Sequence, residues 1–471
     1  MQRREFLSLL GSLTVSAGAF SLLGCQPGEV ARSSTHRPNI LVLISDDHSV
    51  PDLGCYGNDA LETPNLDRLA SEGIRFNRAY VDSPQCSPSR ASLLTGRTPH
   101  AAGASRLHAD ILPEIPDVVK LLKSQGYYTG GYKKIHQDRI KQEFDYYGGA
   151  RARFPEFFNE RPKNKPFLLW FGSLLPHRPY GRGTLSARHR PEEVHVPDYL
   201  PDTLRVRKDL ARYYQKIEKF DTQCGKFLDL LEQEGEVENT MVIMLGDNGL
   251  PFPRGKGTLY EPGINVPLII RWPGVVEPGQ VSDALVSVVD LTATWFEAAN
   301  IDPPPNIQGR SLLPLLQGEQ SRVRKHAYSE RNWHDNWDPM RCVVGDRYKL
   351  IQNYRPQVGY QPTIDIRNSP SYKSIQQLGK RELPERLDFY FADSRPHVEL
   401  YDLQEDPHEW NNLAEKEEYV DLVLKYQKQL SEWMEATNDF LPPPRSAFPE
   451  GPHLRMNRRI DPLNGTRRTA S

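Results

Sequence analysis

The chain of 471 residues is long enough for one large domain and a smaller companion. Hydrophobic residues make up 38% and charged residues 25%, which excludes a chain disordered throughout and allows a sizeable core. A formal net charge of -2 excludes the broad basic field that nucleic acid requires, so a polyanionic ligand must be met by local positive charge.

At the N-terminus, Arg3 and Arg4 precede an apolar, small-residue run from Leu9 to Leu23. The pattern predicts a signal peptide of twin-arginine character over 1–25, too short and too rich in Gly and Ser for a membrane span. The run closes on Leu22-Leu23-Gly24-Cys25, which has the form of a bacterial lipobox and marks Cys25 for lipidation; a plain cleaved signal peptide is the alternative. The expectation is export to the periplasm or cell surface of a bacterium, with membrane contact only through a lipid anchor. Residues 26–38 follow as a polar linker.

From Asn39 onward, apolar runs and helical periodicities alternate. Asn39–Ser45, Tyr127–Tyr132, Phe167–Leu174, Met241–Leu245 and Pro267–Trp272 read as buried strands. Thr63–Gly73 reads as a helix, with Thr63 as cap and Pro64 at the first position. Val118–Gln125 (stopped by Gly126), Leu210–Glu234 and Leu291–Ala299 read as further helices. This alternation predicts an α/β large domain over 39–320, with a mostly parallel or mixed sheet sandwiched by helices. Beyond about residue 320, Arg347–Gln352 and Glu399–Leu403 read as short strands and Tyr419–Thr437 as a closing helix. They predict a smaller C-terminal α+β subdomain over 321–440 with a short antiparallel sheet. The Pro- and Arg-rich stretch 441–471 reads as an irregular tail.

In open parallel sheets, ligands bind beyond the carboxyl ends of the strands. The residues that follow each apolar run are therefore the informative ones. Asp46-Asp47-His48 follows the first, Lys133-Lys134-Ile135-His136 the second, Pro176-His177-Arg178 the third and Asp247-Asn248 the fourth. Asp46, Asp47, Asp247 and Asn248 are oxygen donors, which suit calcium or magnesium rather than zinc. A dication among them would lower the cost of one anion attacking another. The cysteine spacings form no zinc motif; Cys55, Cys224 and Cys342 read as packing residues.

The sharpest motif is Cys86-Ser87-Pro88-Ser89-Arg90, continued by Ala91-Ser92-Leu93-Leu94-Thr95-Gly96-Arg97. It resembles the signature of the sulfatase family, in which the cysteine is oxidised to formylglycine by a dedicated formylglycine-generating enzyme. The resemblance extends from Asn39 to about Trp433. It implies an alkaline phosphatase-like fold, a sulfated saccharide as substrate, one Ca2+ per chain held by Asp46, Asp47, Asp247, Asn248 and the modified Cys86, and a homodimer. A hydrated aldehyde offers two hydroxyls on one carbon: one attacks sulfur, the other expels sulfate. Cys86 stands at the start of an expected helix (Ser89–Thr95), whose free amides favour an anion, with Arg90 one turn on to orient the nucleophile.

Other segments fit the same family. Lys134-Ile135-His136 resembles its K-x-H element, with His136 as base and Lys133 as a rival for the lysine role. His177 is the candidate acid for the leaving group, and Lys256 the cation on sulfate. Gly246 to Pro253, Asn332 to Arg341 and Leu400 to Leu413 resemble heparan N-sulfatases, which cleave the sulfamate bond of terminal glucosamine-N-sulfate. Lys256 stands where that branch prefers Arg, and Gly246 where Ser is common. His108, Glu330, Arg331 and Arg341 are candidate contacts to sugar or carboxylate. Three readings compete with N-sulfate hydrolysis: an O-sulfatase for another glycosaminoglycan or an algal polysaccharide, a phosphate or phosphonate monoester hydrolase, and an inactive glycan-binding lipoprotein.

Overall fold

Strand β1 (Asn39–Ser45) is buried at all seven positions. A strand of this kind needs cover on both faces. Its alternate residues divide between two clusters. Ile40, Val42 and Ile44 pack with Leu93, Leu122, Leu291 and Trp295 of helices Cys86–Thr95, Val118–Ser124 and Val289–Ala298. Leu41 and Leu43 pack with Leu66, Ile217 and Phe220 of helices Pro64–Ser71 and Leu204–Gln233. This computed structural model describes residues 37–149, 153–181, 185 and 189–441. The expected signal peptide, the Cys25 lipidation site, the linker up to His36 and the tail 442–471 lie outside the described residues. No helix among the described residues is long and apolar enough to cross a membrane.

The large sheet continues with β2 (Ile74–Tyr80), β3 (Tyr128–Lys133), β4 (Tyr146–Gly148), β5 (Phe167–Gly172), β6 (Thr240–Gly246), β7 (Asn265–Arg271), β8 (Gln280–Ser282) and β9 (Val286–Ser287). Its order is β4-β3-β5-β1-β6-β7-β2-β8, with β9 on β2. β1 lies between β5 and β6 and is parallel to both. β7 runs antiparallel to β6 and to β2, so the sheet is mixed. Two reversals make β2 parallel to β6 again, and its carboxyl end leaves at the same edge as those of β3, β5, β1 and β6.

Helix ends follow local chemistry. Asp117 caps Val118–Ser124 by accepting from the Lys120 amide at 3.0 Å, and Gly126, at φ 89°, turns the chain beyond it. Thr203 caps the long helix, which starts at Leu204 rather than Leu210 because Val206 extends its buried stripe. Thr63 does not cap with its side chain; its hydroxyl accepts from the Gly54 amide and donates to Asp67. The helix after the signature motif begins at Cys86 itself and is buried at all ten residues.

A second sheet, β10 (Ala327–Trp333), β11 (Trp337–Val344), β12 (Tyr348–Asn353) and β13 (Val398–Asp402), is antiparallel throughout. Met340, Cys342, Val344 and Ile351 join the cluster of the large sheet, while Val343, Leu350 and Leu400 face helix Val420–Ala436. Covered on both faces, this sheet has charged residues inside it. The guanidinium of Arg341 pairs with Asp439 (Nη2 to Oδ1, 2.9 Å), and both side chains are fully buried. Breaking such a pair from one side leaves an uncompensated charge and costs about 3–5 kcal/mol. Asp439→Ala is therefore expected to lower the unfolding free energy by about that amount in a denaturant titration, with turnover per folded molecule unchanged; an unaltered midpoint would show the pair to be dispensable.

Candidate active site

The strand order brings the candidates together. Ser45 and Gly246 are register partners at the ends of β1 and β6, so Asp46-Asp47 and Asp247-Asn248 emerge side by side. Lys133 of β3 pairs with Gly172 of β5, which delivers Lys134 and the segment leading to His177 next to them. Cys86 enters from the carboxyl side of β2 as the first residue of its helix. Its Sγ lies 3.3 Å from Asp46 Oδ1 and 3.5 Å from Asp47 Oδ1. Ligand atoms of Asp46, Asp47, Cys86 and His177 all fall within 4.8 Å of one another. Asp247 joins through its Oδ1, which accepts from the Asp47 amide at 3.0 Å, and Asn248 through its Nδ2, which donates to Asp47 Oδ1 at 2.9 Å.

Three cations interleave with the three acids. Lys134 Nζ bonds both oxygens of Asp46 at 2.8 and 2.7 Å. Arg90 Nε bonds Asp247 Oδ2 at 2.8 Å, and its Nη1 bonds the Lys134 carbonyl at 2.7 Å. Lys256 Nζ lies 2.9 Å from Asp47 Oδ1 and 3.1 Å from Asp365 Oδ2. Lys133 takes no part: its ammonium sits over the rings of Phe154 and Phe171. His136 Nε2 meets His108 Nδ1 at 2.9 Å, and the His108 amide is held by Ser87 Oγ at 2.7 Å. Asp47, His108 and His136 all adopt positive φ (68°, 64° and 67°), a conformation that non-glycine residues hold only where the surroundings impose it.

The electrostatics follow from burial and neighbours. For Asp46, burial alone would raise the carboxyl, but Lys134, His177, Arg90 and Lys256 together hold it far below the usual carboxylate range. Burial pushes Asp247 up to about 6 against the pull of Arg90, with Asp46 adding repulsion. Burial also lifts the Cys86 thiol well above its ordinary value, so an unmodified Cys86 is not a thiolate nucleophile. Burial, with Lys134, Arg90 and His108 nearby, depresses His136 to about 2, so its imidazole is neutral.

The donor set fits a hard divalent cation. Asn248 Oδ1 is buried and has no hydrogen-bond partner, although its amide nitrogen is bonded, so an acceptor is left aimed into the acidic cluster. Asp46, Asp47 and Asp247 add carboxylate oxygens, which suit calcium or magnesium, beside the softer Cys86 sulfur and His177 nitrogen.

The other expected contacts are placed differently. Glu330, fully buried, is bonded to His100 and to Asn332 Nδ2 at 3.0 Å, and Arg341 is held by Asp439, so both charges are used inside the second sheet. Arg331 lies nearer: it donates to the carbonyl of Gly257, next to Lys256, but its guanidinium pairs with Asp338 at 3.1 Å. Of these four, His108 is the one bonded to another expected site residue, His136, and to Ser87 beside Cys86. Asp365 was not anticipated. It sits on a one-turn helix, Ile364–Arg367, with no apolar strand before it to flag its position.

A family model described as sulfatase matches residues 38–159 and 150–301, and one described as N-sulphoglucosamine sulphohydrolase, C-terminal, matches 254–383. An ulvan-active sulfatase of Formosa agariphila is 30% identical over 461 residues, covering 86% of this chain and 76% of that protein. Human N-sulphoglucosamine sulphohydrolase is 30% identical over 459 residues, covering 85% and 90%. Among solved structures, one in complex with its substrate D-glucosamine-2-N,6-O-disulfate has a TM-score of 0.68 at 22% identity, covering 86% of this chain and 99% of that one. A 2-O GAG sulfatase has a TM-score of 0.63 at 21% identity, covering 86% and 93%. These structural likenesses bear on the fold.

A Cβ on Gly172 would stand 1.8 Å from the Lys134 carbonyl and 2.7 Å from Arg90 Nη1, so a side chain there displaces the strand end that sets both cations. Gly172→Ala is expected to lower kcat about 100-fold in a steady-state assay while thermal unfolding shows a folded protein; unchanged kcat would mean that the Lys134–Arg90 contact does not set the site.

Proposed function

The chain belongs to the sulfatase family, and from that premise we propose that it removes the N-sulfate of glucosamine in heparin- or heparan-type oligosaccharides, using a formylglycine made from Cys86 and a bound calcium ion. The coarser activity is settled: it is a hydrolase of sulfate esters or sulfamates that acts on sulfated saccharides. The finer reading is supported by one observation above all. Residues 254–383, matched by the N-sulphoglucosamine sulphohydrolase C-terminal model, supply both Lys256 and Asp365 to the cluster.

A formylglycine at position 86 would supply a hydrated aldehyde, whose one hydroxyl attacks sulfur and whose other releases sulfate. Asp46, Asp47, Asp247, Asn248 and the modified residue 86 would hold the ion, whose positive charge would offset that of the attacking and attacked anions. The protein's own groups do the rest. Lys134 and Lys256 flank the carboxylates with ammonium groups that can turn to sulfate oxygens. Arg90 fixes Asp247 and the Lys134 carbonyl at once, so the ion site and the sulfate site share one anchor. His136, neutral and with a buried Nδ1 that has no partner, can accept a proton as negative charge arrives beside it. His177 donates Nδ1–H to the Arg178 carbonyl, which aims Nε2 at the cluster, 3.7 Å from Asp47 Oδ2. From there Nε2 can pass a proton to the departing nitrogen or oxygen.

Incubation with defined heparin disaccharides tests the specificity. Loss of N-sulfate from a terminal N-sulfated glucosamine, with 6-O-sulfate untouched, is expected. Preferential release from an O-sulfated sugar or from ulvan fragments would replace this reading by an O-sulfatase, and faster turnover of nitrophenyl phosphate than of the sulfate by a phosphatase. Mass spectrometry of the Cys86 peptide from active material should show the aldehyde or its hydrate; a free thiol in native protein would favour a binding role. An acid is needed for poor leaving groups and hardly at all for nitrophenolate. His177→Ala should therefore lower kcat at least 100-fold on the sulfamate and far less on nitrophenyl sulfate, and equal losses on both would assign His177 elsewhere.

A further inference from the structure

A cavity of about 600 Å³ opens beside the far end of helix Cys86–Thr95. It is lined by Thr98, by Arg310, Arg322, Lys325 and His326, and by Tyr328 and Trp433. None of the residues of the catalytic cluster lines it. Thr98 lies past the carboxyl end of that ten-residue helix, about 15 Å along it from Cys86, while Asp82, four residues before Cys86, lines the cavity as well.

The charges around this cavity are unevenly spent. Arg324, at its back, is held by Asp290 with Nε at 2.7 Å from Oδ2. The others are largely available. Arg310 bonds one carbonyl, that of Val323, through Nη1 at 3.2 Å. Arg322 meets Asp346 at 3.5 Å across exposed surface, a pair that contributes little. Lys325 makes no ion pair with any described residue. Asp82 is the acid on the floor; burial pushes it up to about 8, so at neutral pH it is mostly uncharged. On one wall Tyr328 and Trp433 stack with centroids 4.8 Å apart and planes within 1°. Several cations gathered in a cleft of ligand size are what an anionic sugar chain requires, because the charges meet its sulfates.

We propose that this cavity is a second binding site for sulfated polysaccharide, separate from the catalytic cluster, which tethers polymeric substrate through Arg310, Arg322 and Lys325. It rests on the reading of the substrate as a sulfated saccharide. Holding a polymer at two points raises the effective concentration of its sulfates at Cys86 without altering the chemistry there.

The test is affinity electrophoresis of the matured enzyme in native gels containing heparin or, for comparison, hyaluronan, which carries carboxylates and no sulfate. The variant is Arg310→Ala with Lys325→Ala, and turnover of nitrophenyl sulfate is measured in parallel. Wild type should be retarded by heparin well beyond hyaluronan. The double variant should bind heparin about three- to tenfold more weakly, with turnover of the small sulfate unchanged. Equal retardation of the two proteins by heparin, or equal retardation of wild type by both polymers, would overturn the proposal. Absence of nitrophenyl sulfate turnover in wild type would count against the catalytic reading instead. Should the double variant lose its folded circular dichroism, Lys325→Gln is compared with Lys325→Arg: only the charge-keeping variant should retain wild-type retardation, and matching behaviour of the two would again overturn the site.

Discussion

Asp46, Asp47 and Asp247 are almost wholly shielded from water, and they stand close enough for their charges to repel strongly in a medium of low dielectric. A cluster of this kind survives only if cations of fixed geometry are built around it. Lys134, Arg90 and Lys256 meet that demand, each against a different acid. They arrive from the end of β3, from the helix that starts at Cys86 and from the loop after β6. The order of the sheet is what lets these distant segments end at one place. Under the proposed function the same three positive charges also receive the anion, so one set of side chains would meet the requirement of stability and that of catalysis.

Much of this was legible in the sequence, and the reasons are particular. Asp46, Asp247, Lys134 and His177 could be placed because each follows an apolar run, and parallel strands carry their ligands beyond their carboxyl ends. β2 was harder to see. Arg75, Asn77 and Arg78 interrupt its apolar residues, and a register shift between Phe76 and Ala79 breaks the alternation that would have marked it. Glu330 and Arg341 are charged residues whose partners the sequence does not reveal, which makes them candidates for a ligand. Both faces of the second sheet are covered, and the two charges are neutralised internally by His100 and Asp439. Asp365 could not be found at all, since its position depends on a fold-back of the chain that no local pattern encodes.

The second sheet is more than an appendage. Its residues Met340, Cys342, Val344 and Ile351 share the core of the large sheet. The chain between β12 and β13 carries Asp365 back to Lys256. The lysine is thus held from two sides, by Asp47 in the large sheet's loops and by Asp365 from beyond the small sheet. A change of packing between the two sheets would be felt at the Lys256 ammonium group.

The burial of the whole Cys86 helix has a consequence for biosynthesis. With Cys86 only 2% exposed in the finished fold, the enzyme that the proposed formylglycine requires could not grip this peptide once the sheet has closed. Closure is late, because the neighbour that completes one flank of β1 is β6, whose last residue, Gly246, is made about 160 residues after Cys86. At ribosomal speeds of about 5–20 residues per second, the topology leaves the cysteine open for roughly 10–30 s. On the proposed formylglycine reading, the long-range pairing that makes this sheet slow to form is also a timer, and shortening the path between the first and sixth strands would be felt as incomplete maturation rather than as instability.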